Sequence, residues 1–290
     1  YAMQMSAMVS LLTVITNVII LLGMYLMRLS GMTSLVGIAI LHAFSINIPF
    51  LVASVFVFAF RLEKARPNLK YYDKEKAKDV LGMGFILLWL QIATMFVACS
   101  HSIIITQIVN PESVSEFNVY YKLYNGVASV LALVLVPIWS EVTKAKAEKD
   151  YQWIIQLQKK LHYLLLVSIV VFIVVSICLQ FVFDIWLREN TYYVTLNNVV
   201  ALSAFSIIFV WHNINTSIAN GLSEFKTQNV CMLCAVVLFV PFSLLLYRII
   251  GTWTAVLYAS CICMLPYEMI QPFMIKKYLY CKENDKNDTE

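Results

Sequence analysis

The sequence predicts an all-α integral membrane helix bundle of about eight transmembrane helices, and three observations carry that expectation. The hydrophobic fraction is 61% and the charged fraction 13%, where soluble domains average about 25% charged. The charges lie in blocks between apolar runs long enough for the roughly 20 residues that a spanning helix needs. Lys and Arg favour alternate connecting segments, the bias that orients helices in a bilayer.

The spans are expected at 6–29, 34–60, 80–108, 118–140, 161–183, 196–220, 230–248 and 253–275. Only two connections, 61–79 and 141–160, are more than short. Of the 21 Lys and Arg residues, all but Arg28, Lys122, Arg188 and Arg248 fall on one side. That side is read as cytoplasmic, and an even span count places both termini there. The polar tail is expected to be disordered. The first residue is Tyr1 and an apolar run follows almost at once, without a signal-peptide n-region; the chain reads as a piece of a longer protein.

Several function classes are disfavoured. The seven cysteines are odd in number, and six lie in apolar runs, where they read as small hydrophobes. Cys231 and Cys234 have a metal-like spacing, but no second Cys or His pair matches them, so no metal site is expected. The net charge of +4 is explained by the cytoplasmic segments and does not indicate nucleic acid. No P-loop or nucleophile–base arrangement is present. An enzyme is therefore not expected, nor a cofactor, and any energy must come from an ion gradient or from the substrate's own gradient.

Polar side chains inside the spans carry the functional reading, because in hydrocarbon each must find a partner or line a cavity. In the sixth span, Ser203, Ser206, Asn213, Ser217 and Asn220 form one helical stripe, flanked by His212 and Asn215. The third span repeats the pattern with Gln91, Thr94, Ala98, and His101 or Ser102. The fourth has Lys122, Asn125, Ser129 and Ala132. Such stripes suit a cavity wall and equally suit hydrogen-bonded helix packing. Lys122 either snorkels to the interface or meets an anionic group. Glu268 is either an ion-coupling site or, the favoured alternative, a residue of the cytoplasmic surface near Lys276. His42 and Asn47 precede Pro49, which is expected to bend its helix. Pro241 and Pro266 read the same way, whereas Pro137 and Pro272 read as helix-terminal. Asp184 and Arg188, with Trp186, read as an interfacial ion pair and anchor.

One hydrophilic segment stands out against this background. Within Glu141 to Trp153 fall Glu141, Lys144, Lys146, Glu148, Lys149 and Asp150. The run from Pro137 through Ile138, Trp139, Thr143, Ala145, Ala147 and Asp150 to Trp153 and Ile154 resembles a segment of bacterial O-antigen and polysaccharide flippases. These belong to the multidrug/oligosaccharidyl-lipid/polysaccharide exporter superfamily. Lys144 departs from the acid more often found there. The stretch Glu116 to Tyr124 also resembles the family. Physically, the hydrophilic segment reads as a cytoplasmic elbow that anchors topology, with Trp153, Ile154 and Leu157 lying on the membrane surface and no chemistry of its own.

The resemblance implies two six-helix lobes with a cavity between them. Residues 1–60 would be the last two helices of the first lobe, 61–79 a cytoplasmic interlobe linker, 80–275 a six-helix second lobe and 276–290 the disordered cytoplasmic tail; four earlier helices would be missing. It further implies a flippase of the bacterial inner membrane, moving polyprenyl-pyrophosphate-linked oligosaccharide by alternating access for surface polysaccharide biosynthesis. The implied partners are that lipid-linked oligosaccharide, the bilayer, a proton or monovalent-cation gradient, and other polysaccharide-assembly proteins. The substrate-cavity candidates are Gln91, Thr94, His101, Lys122, Asn125, Ser206, His212, Asn213 and Asn215, with Glu268 as the ion-coupling candidate. The rivals are a multidrug/cation antiporter of the same superfamily, which would need a strong acid in its cavity, a membrane enzyme of polysaccharide assembly, and a non-transporting scaffold.

Overall fold

The computed structural model describes residues 6–31, 34–61, 68, 72–187 and 193–287. These form helices α1 (Ser6–Leu29), α2 (Leu35–Phe56), α3 (Lys74–Cys99), α4 (His101–Ile108), α5 (Pro111–Leu133), α6 (Ile138–Ala147), α7 (Tyr151–Leu187), α8 (Leu196–Leu222), α9 (Lys226–Ile250) and α10 (Thr254–Asn287). Seven stretches among the described residues, drawn from α1, α2, α3, α5–α6, α7, α8 and α9, are long and apolar enough to cross a membrane. The eighth expected span falls in α10, where Glu268, Gln271, Lys276 and Lys277 interrupt the apolar run. The chain is an all-α, multi-pass membrane protein.

The contacts divide the chain into two compact units, 1–80 and 81–290. In the first, α1 packs on α2. Pro49 lies inside α2, which runs on through it and ends in a π-helical turn, Val57–Arg61. The polar groups beside Pro49 are satisfied within the helix: Asn47 donates to the Ala43 carbonyl at 2.7 Å, and His42 Nδ1 lies 3.2 Å from the Ile38 carbonyl. Residues 62–67 and 69–71 of the expected linker at 61–79 lie outside the described residues, and Lys74 onward belongs to α3; Arg188, the expected partner of Asp184, also lies outside them. Asp184 Oδ1 accepts from Gln180 Nε2 at 2.9 Å.

The second unit is built around α8. Half of its membrane-crossing stretch is buried, against 17–22% for α3, α5–α6, α7 and α9. Local chemistry sets the helix ends. Asn110 Oδ1 accepts the Ser113 N–H at 2.7 Å with Pro111 at the first helical position, which starts α5. Thr195 caps α8 in the same way. Gly251, at φ 73°, ends α9 in the left-handed conformation that only glycine adopts without strain.

Four expectations about spans change. The third span breaks at Ser100 into α3 and α4, with the Ser100 hydroxyl turned back to the Phe96 carbonyl. The elbow's apolar stripe is not all free for a membrane surface: α6 turns through Lys149 (φ 57°) into the 37-residue α7, where Ile154 is fully buried while Trp153 stays exposed. Pro272 is not helix-terminal but sits inside α10, its carbonyl 3.3 Å from Gln158 Nε2. The tail from 276 is not disordered as far as Asn287. There α10 continues, held by buried Leu279, by the Gln152–Glu283 hydrogen bond and by Lys146 over the Tyr278 ring.

Candidate functional site

A crevice of about 330 Å3 opens within the second unit between α3 and α8. Leu87, Gln91, Thr94 and Ala98, spaced by three and four, give it one face of α3. Phe209, His212, Asn213, Thr216 and Asn220 give it the facing side of α8. Trp139 of α6 and Gln228 of α9 complete the wall. Beside the crevice, which Leu90 also lines, α3 is held to α9 and α10 by a small cluster of Leu90, Ala93, Met232 and Tyr267.

The polar groups of the wall are uncharged amides and hydroxyls, apart from the His212 imidazole. Two of their acceptor oxygens, Asn220 Oδ1 and Gln228 Oε1, are buried without a hydrogen-bond partner. An unpaired buried polar group costs about 1–3 kcal/mol.

Behind the α8 wall lies Glu268. It is 0% exposed, which corrects the favoured placement at the cytoplasmic surface. His212 Nδ1 is 2.8 Å from Glu268 Oε1, and Asn215 Nδ2 donates to Oε2 at 2.7 Å. On its other edge, His212 Nε2 is 3.4 Å from Thr216 Oγ1, which also lies 3.3 Å from the Tyr267 hydroxyl and 3.5 Å from Gln228 Nε2. With Glu268 ionised, Nδ1 presents its N–H to the carboxylate and Nε2 faces the Thr216 hydroxyl.

The structure thus brings Gln91, Thr94, His212 and Asn213 together in one crevice and puts Asn215 and Glu268 directly behind it. The other candidates lie elsewhere. His101 is buried with Nε2 2.7 Å from Ser260 Oγ, and its ring packs edge-on against Phe205 and Phe239. Ser206 is buried within the bundle. Lys122 and Asn125 share an exposed face of α5 with Ser129 and do not line the crevice. The α8 stripe also divides. Ser203 joins Tyr124 and Ser176 in a hydrogen-bonded contact between α5, α7 and α8, and Ser217 returns to the Asn213 carbonyl. Asn213 and Asn220 face the crevice.

Thr216 and Gln228 are crevice residues that the sequence reading passed over. Thr216 follows His212 by four residues, a spacing that could have found it. Gln228 sits in the first turn of α9, where it looked like part of a connection. The elbow has a role beyond topology: Thr143 Oγ1 lies 3.3 Å from the Gly221 carbonyl, Lys146 reaches the Leu222 carbonyl, and Trp139 borders the crevice. Gly221 permits this approach, since a Cβ there would sit 2.6 Å from Val142 Cβ.

No protein-family model matches the sequence, and no curated protein matches it either. The fold does match solved structures. A MATE protein in the straight conformation superposes with a TM-score of 0.70 at 11% identity, over 94% of this chain and 63% of that one. An outward-facing multidrug resistance MATE family transporter of the MOP superfamily gives 0.64 at 15% identity, over 92% of this chain and 62% of that one. A MOP superfamily transporter from Pyrococcus furiosus, described as having a binding pocket of reverse polarity that suggests a different function, gives 0.64 at 14% identity, over 94% and 62%. The chain has the fold of these transporters and spans less than two thirds of their length.

Proposed function

We propose that this chain belongs to an alternating-access membrane transporter that moves polyprenyl-pyrophosphate-linked oligosaccharide across the bacterial inner membrane, for surface polysaccharide biosynthesis. The observation that carries the reading is the chemistry of the crevice. Gln91, Asn213, Asn220 and Gln228 are amides, the uncharged donor and acceptor groups that pair with sugar hydroxyls. An organic cation would want an available carboxylate, and Glu268 is already held by His212 and Asn215 and does not line the crevice. That weighs for an oligosaccharide and against a multidrug/cation antiporter.

In this proposal the sugars pass through the crevice while the lipid tail stays in the bilayer. Lys122, on the exposed face of α5, is the anion contact for the pyrophosphate, with Asn125 beside it. A proton or monovalent-cation gradient supplies the energy. The Lys-rich segments and both ends of the chain face the cytoplasm.

The test is complementation of a strain lacking its polysaccharide flippase with the full-length protein. Asn213→Ala and Gln91→Ala are expected to lower surface polysaccharide severalfold, and Lys122→Ala also. Undiminished export in all three, or a change in drug susceptibility instead, would overturn the reading.

A further inference from the structure

We propose that His212 and Glu268 form a proton-binding site loaded through the crevice, and that its proton releases a hydroxyl donor at the crevice floor. This rests on the reading above only for the identity of the crevice's occupant.

The geometry supports it as follows. Glu268 is 0% and His212 2% exposed by side chain, so neither meets bulk solvent directly. His212 belongs both to the crevice wall and to the hydrogen-bond shell of Glu268. Its Nε2 edge reaches Thr216, and Thr216 reaches Gln228; all three line the crevice. A proton from crevice water therefore has a short route: onto Nε2, through the imidazole, and from Nδ1 to Glu268 Oε1. The ring gains a proton at one nitrogen and gives one up at the other, so the net change is one proton on the pair.

The other groups facing this pair are few. From α10 itself comes Tyr267, whose ring centroid is 5.2 Å from that of His212, and from α9 come Cys231 and Gln228. Asn215 and Thr216 face it from α8. The helices α4 and α7 also pack on α10, and their polar contacts with it fall at other turns, His101 on Ser260 and Gln158 on the Pro272 carbonyl. The α3 residues nearest Tyr267 are the apolar Leu90 and Ala93.

The coupling follows from donors and acceptors. With Nε2 unprotonated, Thr216 spends its single hydroxyl proton on the ring, and its oxygen accepts from Gln228 Nε2. With Nε2 protonated, the ring donates to Thr216 Oγ1, and the Thr216 proton must turn away, to Tyr267 or into the crevice. The floor then offers a hydroxyl donor that had been spent on the ring. A crevice ligand with any preference between the two floors shifts proton affinity, and the proton shifts ligand affinity by the same factor.

The experiment uses full-length protein in lipid nanodiscs and infrared difference spectroscopy after an acid pH jump. A protonated-carboxyl band is expected in wild type, absent in Glu268→Gln. His212→Gln and Thr216→Val should delay its appearance tenfold or more. Should Glu268→Gln fail to fold, the wild-type band and the two delayed variants still decide. No band in wild type, or unchanged rates in both variants, overturns the proposal. The readout needs no transport: a protein that takes up the proton but restores no polysaccharide keeps the proton site and rejects the oligosaccharide, and the converse result does the reverse.

Discussion

His212 Nδ1 stands 2.8 Å from Glu268 Oε1, and the contact joins the central helix α8 to α10 inside the second unit. Glu268→Ala would leave His212 and Asn215 facing an empty, unpaired site. Removing one partner from a buried pair costs about 3–5 kcal/mol. A large drop in melting temperature is expected by scanning fluorimetry, with a smaller drop for Glu268→Gln, which keeps one oxygen acceptor and the volume.

Gly221 is the close-approach point of the elbow. Its Cβ position falls 2.6 Å from Val142 Cβ and 3.0 Å from the Trp139 carbonyl oxygen. Gly221→Ala should destabilise by about 1–3 kcal/mol through overpacking. Adding Val142→Ala should recover only a small part of the loss, because it removes Cγ1 but keeps the Cβ at 2.6 Å and the Trp139 carbonyl at 3.0 Å. Thermal melts of the two single variants and the double variant check this.

Glu116 clamps three helix ends. Its Oε1 accepts from Asn198 Nδ2 at 2.8 Å, and its Oε2 accepts from Trp253 Nε1 at 3.0 Å. Glu116→Ala leaves both donors unpaired, at about 1–3 kcal/mol each. Glu116→Gln keeps one acceptor and should lose roughly half as much. The order Ala worse than Gln in melting temperature is the result to look for.

His101 lies outside the crevice, so it tests where the site ends. Ser260, its partner, also donates to the Val256 carbonyl at 3.0 Å and stays satisfied when the imidazole goes. His101→Phe keeps an aromatic ring among Phe117, Phe205 and Phe239. The cost should stay below about 1.5 kcal/mol, and export should be unchanged. A severe export defect in a stable variant would move His101 back into the pathway.

The spans were legible because hydrocarbon length and apolar composition are properties of sequence alone. The crevice was legible on α8 and α3, where a helical stripe collects Asn213, Gln91 and Thr94. The stripe on α5 is equally regular, yet Lys122 and Asn125 face away from the crevice. Periodicity defines a face without saying which neighbour covers it. Glu268 was misplaced for the same reason. Its burial depends on His212 and Asn215, more than 50 residues earlier in the chain. The break at Ser100 has no mark in the sequence, since neither proline nor glycine stands there.

The central claim is that side chains from separate helices share one water-filled crevice, and thiol accessibility tests it most directly. With the native cysteines replaced, Asn213→Cys should react readily with a water-soluble thiol reagent and lose export once labelled. Ser206→Cys, buried on the same helix, should not react. Equal inertness at both positions would contradict the account.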